Sequence, residues 1–122
     1  MTGKNKTWEK NIYNSLKELA DIDRQRIVWL GKDKENLSSF SEVLGMLYDS
    51  FDFEDYINTY KIRSGKNNFY QLLKELDDMI NIYQKIGYDL EMEIGGAQKI
   101  LEDSRWYKIT KKGQQIITLW EV

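Results

Sequence analysis

The chain contains no cysteine, no histidine and no proline. Without cysteine there is no disulfide, no thiolate nucleophile and no zinc–thiolate site. Without histidine the commonest general base and the commonest zinc ligand are both missing. The nucleophile–base pairing of Ser or Cys with His therefore cannot be built. Without proline nothing stiffens a linker or forces a helix to stop. Long apolar runs are missing too: no stretch approaches the roughly 20 residues that span a bilayer. The opening MTGKNKTWEKN lacks the apolar region of a signal peptide. The expected place of action is the cytoplasm, with no membrane partner. Positive charge is in deficit, 18 Lys and Arg against 20 Asp and Glu. That balance argues against direct binding of nucleic acid, whose phosphates call for an excess of bases.

What remains is a chain of 122 residues, one domain spanning 1–122, of which 31% is charged. A chain of this length buries roughly two-thirds of its unfolded surface. Trp8, Ile12, Leu16 and Leu19 recur at helical spacing behind a candidate N-cap, Thr7, and predict a helix from about Trp8 to Ile22. Ile27-Val28-Trp29-Leu30 fits a short buried strand as well as the end of a bent helical continuation to Gly31. KDKENLS reads as a polar loop, and Ser39 with Glu42 forms a capping box. Phe40, Val43, Leu44, Leu47, Tyr48 and Phe51 mark one helix face. Asp52 and Asp55 can restart a short helix through Tyr60, since carboxylates favour the positive end of the helix dipole.

After a loop centred on Gly65, Asn68 caps the clearest helix, with the stripe Phe69, Leu72, Leu73, Leu76, Ile80 and Tyr83. Gly87 stands where a helix end wants positive φ. Tyr88, Leu90, Met92 and Ile94 alternate with acids, the period of a strand, and predict a short extended segment at 88–94. AQKILEDSRW supplies a short helix, and Asp103 or Ser104 caps a last one carrying Trp106, Ile109, Ile116 and Trp120. Gly113 within it suits a close helix contact. The expected architecture is an all-α bundle of five or six helices.

The sharpest local feature is YDSFDFEDY. Between Lys34 and Lys61 the chain has six carboxylates and no base. Asp49, Asp52, Glu54 and Asp55 there interleave with Phe51, Phe53 and Tyr56. The spacing does not match a Ca²⁺ loop, which needs alternating ligands, a central Gly and a terminal Glu, so no metal or cofactor is expected. Two carboxylates could in principle share acid–base work, but no catalytic residues are assigned and the expectation is a protein without enzyme activity. Unopposed like charges destabilise a helix end unless a partner compensates. Acids beside rings have the composition of a binding patch, rings as anchors and charges as steering groups. Glu75, Asp77 and Asp78 could extend it. The bases Arg105, Lys108, Lys111 and Lys112 are expected to complement the chain's own acids. The four tryptophans fall on apolar stripes and are expected in the core, and Arg24 and Arg26 near Trp29 are expected to be structural.

Four stretches, LKELADIDRQRIVW, SSFSEVLGMLYDSFDFED, LLKELDDMI and ILEDSRWYKITKKGQQI, follow one another in an order that resembles a set of small bacterial proteins. Those carry an L-x-x-L-A-x-x-D-x-Q-x-R-V-W helix, an F-x-E and L-x-D-D corner and a late D-P-x-W-x-x-V helix. Here serine replaces the proline, in Asp103-Ser104-Arg105-Trp106, and the second acid of the corner is missing, in Leu47-Tyr48-Asp49-Ser50. Proteins of this type resemble immunity proteins of bacterial polymorphic toxin systems, including contact-dependent growth inhibition. The resemblance implies a cytoplasmic inhibitor that binds a cognate toxin domain, often a nuclease. It assigns no binding residue; the acidic corner follows from charge, because a nuclease cleft must be basic to hold phosphate. The rival expectation is a non-enzymatic adaptor or regulatory interaction module unrelated to a toxin.

Overall fold

A computed structural model describes residues 3–32 and 38–120, with side chains from Lys6 onward in the first helix. Its elements are α1 (Gly3–Ala20), α2 (Ile22–Val28), α3 (Phe40–Gly45), a π-turn (Met46–Ser50), α4 (Phe53–Ser64), α5 (Asn68–Glu91), α6 (Gly96–Leu101) and α7 (Ser104–Leu119). The described residues contain no strand, so the all-α expectation holds, with seven α-helices among them where five or six were expected. Segment 33–37, where the polar loop was expected, lies outside the described residues.

Every helix and the π-turn contribute to one apolar cluster, with α7 packed between α1 and α5. Trp106 is wholly buried at its centre, in ring contact with Trp29, Phe40 and Tyr83. Trp29 is buried as expected, while Trp8 and Trp120 pack on the cluster's edge. The expected bend after α1 is real: Asp21 caps α2 by accepting from the Arg24 N–H at 3.0 Å. Residues 22–28 are therefore helix and not strand. Lys32 N–H returns to the Ile27 carbonyl and Gly31 N–H to that of Val28, with Gly31 at φ 71°. This is the left-handed helix stop that a glycine supplies.

One buried side chain joins three helices. Gln25, 2% exposed, donates its amide to the Glu18 and Leu19 carbonyls at 3.0 and 2.9 Å and accepts from Trp106 Nε1 at 2.9 Å. Gln114 on α7 reaches the Ala20 carbonyl at 2.9 Å. The last carbonyls of α1, which a helix end leaves without partners, are thus met by two glutamines from other helices.

Several local expectations change. Thr7 lies inside α1, not at its start, and the cap of α5 is Asn67, whose Oδ1 accepts from Tyr70 N–H at 2.8 Å, instead of Asn68. Gly87 is not a helix end: it sits buried within α5, and a Cβ there would lie 2.2 Å from the Phe40 ring. The predicted extended segment at 88–94 is helical through Glu91, because Tyr88 and Leu90 continue the packed face of α5. Glu91 contributes by receiving the Ser41 N–H and hydroxyl at the start of α3. The close contact at Gly113 does occur, its missing Cβ standing 3.1 Å from Leu19 and 3.2 Å from Ala20.

Candidate partner-binding surface

The acidic corner is built by an interrupted helix. Ser39 caps α3 through the Glu42 N–H, and after Gly45 the chain widens into the π-turn, closed by Phe51 N–H on the Met46 carbonyl at 3.0 Å. Three anchors hold the turn. Leu47 is fully buried, Tyr48 donates its hydroxyl to Asp77 on α5 at 2.8 Å, and Trp8 on α1 donates to the Phe51 carbonyl at 2.6 Å. Asp52 then takes φ 52°, a left-handed conformation that Asp tolerates better than most residues. It reverses the chain into α4.

These constraints sort the side chains of YDSFDFEDY by direction. Phe53, Tyr56 and Ile57 occupy the core face of α4, with Phe53 0% and Tyr56 4% exposed. Phe51 is half-buried. The expectation that Phe53 and Tyr56 serve as surface anchors is therefore corrected: their spacing of three, with Ile57 next, is that of a helix stripe and takes both rings inward. Asp49, Asp52, Glu54 and Asp55 all remain exposed. The Tyr48 phenol is held well above its ordinary pKa, first by burial and then by the charge and hydrogen bond of Asp77. It stays a neutral donor throughout the physiological range.

The expected extension along α5 also changes. Glu75 pairs with Lys112 at 2.7 Å and Asp78 with Lys74 at 3.0 Å, while Asp77 is buried under Tyr48. The acidic surface grows instead toward α1 and α3. A cleft of about 690 Å³ lies between α2 and the α3–π-turn segment, its acidic lining made by Glu18, Glu42 and Asp49, with Arg24 the one base among the described lining residues. Its apolar lining includes Trp29, Val43 and Met46, and Met46 is 48% exposed. A smaller hollow of about 260 Å³ is lined by Tyr48, Asp52, Glu54 and Asp55. Sequence reading assigns none of Glu18, Glu42, Arg24 and Met46 to a binding surface: it takes Glu42 only as half of a capping box and Arg24 as structural, and does not single out Glu18 or Met46. The Ser39–Glu42 spacing was the available signal for Glu42: only the Ser39 half of the expected capping box forms, which fixes Glu42 in the first turn of α3 and leaves its carboxylate free.

Charge pairing sets this region apart. Elsewhere the carboxylates are engaged: Asp23 with Arg26, Asp89 with Lys85, Glu93 with Lys99, Asp103 with Arg105 and Tyr83. Of the four bases expected to complement the chain's own acids, Arg105 and Lys112 do so, whereas Lys111 reaches Gln114 and the Tyr107 ring and Lys108 makes no ion pair among the described residues. Among the described residues, Glu18, Glu42, Asp49, Asp52, Glu54 and Asp55 have no hydrogen bond or ion pair to their carboxylates, and all six line the cleft or the hollow. The described residues hold no group of three or more acids arranged to take a metal ion. No described helix is long and apolar enough to cross a membrane. No protein-family model, curated protein or solved structure matches this chain.

Proposed function

We propose that the chain is an immunity protein that neutralises a cognate toxin domain, a basic nuclease, by stoichiometric occlusion and without catalysis of its own. The observation that carries this reading is the segregation of charge. Among the described residues, six carboxylates without internal partners line one cleft and one hollow built by the α3–α4 segment and the helices facing it, while the other described carboxylates are engaged within the fold. Keeping like charges together and unpaired costs stability, and a basic partner offsets that cost on binding.

A nuclease active site needs Lys and Arg to grip phosphate. A line of carboxylates spaced along a groove occupies the same donors as the phosphates of a nucleic-acid strand. The apolar anchors are the exposed Met46 and the half-buried Phe51, not the buried rings of α4. The resemblance to immunity proteins points the same way.

The test is co-expression with the C-terminal domain encoded by the gene immediately upstream. Co-purification as a one-to-one complex, with nuclease activity abolished at equimolar inhibitor, is the expected result. An upstream gene that encodes no toxin domain, or a toxin domain that stays active and unbound, would remove the reading.

A further inference from the structure

A second recess, separate from the acidic cleft, opens between α1, α4, α5 and the end of α7. It has a volume of about 520 Å³, and its aromatic lining is Tyr56, Tyr60, Phe69 and Trp120. The rings form a chain. Tyr56 and Trp120 are near parallel at 5.9 Å, Phe69 stands edge-on to Trp120 at 5.3 Å, and Tyr60 tilts against Phe69 at 5.4 Å. None of the described residues lining the recess is basic.

One carboxylate enters this wall, that of Glu9, with 23% of its side chain exposed. It is held by two long contacts, accepting from the Tyr56 hydroxyl at 3.4 Å and pairing with the Arg63 guanidinium, at the margin, at 4.0 Å. Burial, and then the Glu9 charge, push the Tyr56 phenol well above its ordinary pKa, so among the described lining residues Glu9 carries the one charge, faced by Arg63 at the margin.

We propose that this recess binds an alkylated ammonium group, the chemistry shared by a free quaternary amine and an N-methylated lysine side chain. Ring faces attract a cation through their quadrupole, and methyl groups around the nitrogen pack on them without needing acceptors. A primary ammonium brings three donors, and a guanidinium five, and the recess offers them only one carboxylate and a few rim oxygens. The recess is also within the size range of pockets that take small organic ligands, roughly 300–1,000 Å³.

The test is an NMR titration of the full chain with tetramethylammonium chloride, read at the Trp120 indole N–H and the Phe69 ring. The control is 3,3-dimethylbutan-1-ol, the uncharged shape of choline. Saturable, millimolar binding of the cation, with a several-fold weaker response to the alcohol, is expected. Glu9→Gln should weaken the cation several-fold, Arg63→Gln should tighten it by removing a competing charge, and Trp120→Ala should abolish saturation. Choline and a trimethyl-lysine peptide form the two further arms, and the tighter of them identifies the source. Equal response to cation and alcohol would overturn the proposal, as would the absence of saturation in wild-type protein whose near-ultraviolet circular dichroism reports an intact fold. Unchanged cation affinity in Glu9→Gln, which is close to isosteric and leaves the rings in place, would overturn it too.

Discussion

Gln25 makes three hydrogen bonds at one buried point, and its loss should be felt in all of them. Gln25→Leu keeps the volume but leaves two carbonyls and an indole N–H without that partner. A stability loss of about 3 kcal/mol is expected, measured as a shift in the denaturant midpoint. Asp103 gives a pH signature. Its carboxyl is held below the ordinary range chiefly by hydrogen bonds from Arg105, with Tyr83 adding another. A depressed carboxyl contributes stability above its unfolded pKa and loses that contribution as pH falls through the folded one. Asp103→Asn should therefore be less stable than wild type at pH 7, and the gap should close below pH of about 4. Asp103→Ala, which also removes the cap of α7, should cost about 1 kcal/mol more. A gap that persists unchanged at low pH would contradict the assigned ion pair.

At the scale of the elements, two glycines inside helices separate packing from propensity. Alanine normally gains about 1 kcal/mol over glycine in a helix. At Gly87 the new Cβ would meet the Phe40 ring at 2.2 Å, so the ring must leave its place between Trp106 and Tyr83. Gly87→Ala should cost about 3 kcal/mol. Gly113→Ala meets Leu19 and Ala20 at only slightly short distances and should change stability by less than half as much. Thermal unfolding of the two variants checks the order, and the reverse order would disprove this packing. These positions also mark what the sequence could and could not tell. The stripes of α1 and α5, the stop at Gly31 and the Asp103 cap were legible because spacing and backbone chemistry are local. Gly87 was misread because its reason, the Phe40 ring, lies far away along the chain. Alternation at 88–94 mimicked a strand because Met92 and Ile94, both exposed, owe nothing to the core. In the acidic corner the charges were legible and the direction of the rings was not. Phe53 and Tyr56 were read against their acidic neighbours when their partner in spacing was Ile57.

At the scale of the whole molecule, a net charge of only −2 conceals an uneven surface. Among the described residues, ion pairs and hydrogen bonds engage the other acids and leave six unpaired ones along the α2–α3 cleft and at the α4 corner. Such a face should dock quickly and in a salt-dependent way, since clustered charge steers encounter. It should also be a mild burden to the isolated protein. Reversing Asp52 and Asp55 relieves that repulsion, but it also puts Lys at a left-handed position and in the first turn of α4, so the thermal midpoint should fall modestly while the fold is kept. The most direct measurement is the affinity of Asp52→Lys/Asp55→Lys for the upstream-encoded toxin domain, beside wild type and at fixed ionic strength. The account predicts binding weaker by roughly 30-fold or more, about 2 kcal/mol, carried mainly in the off-rate. Equal affinity in a folded double variant would contradict it.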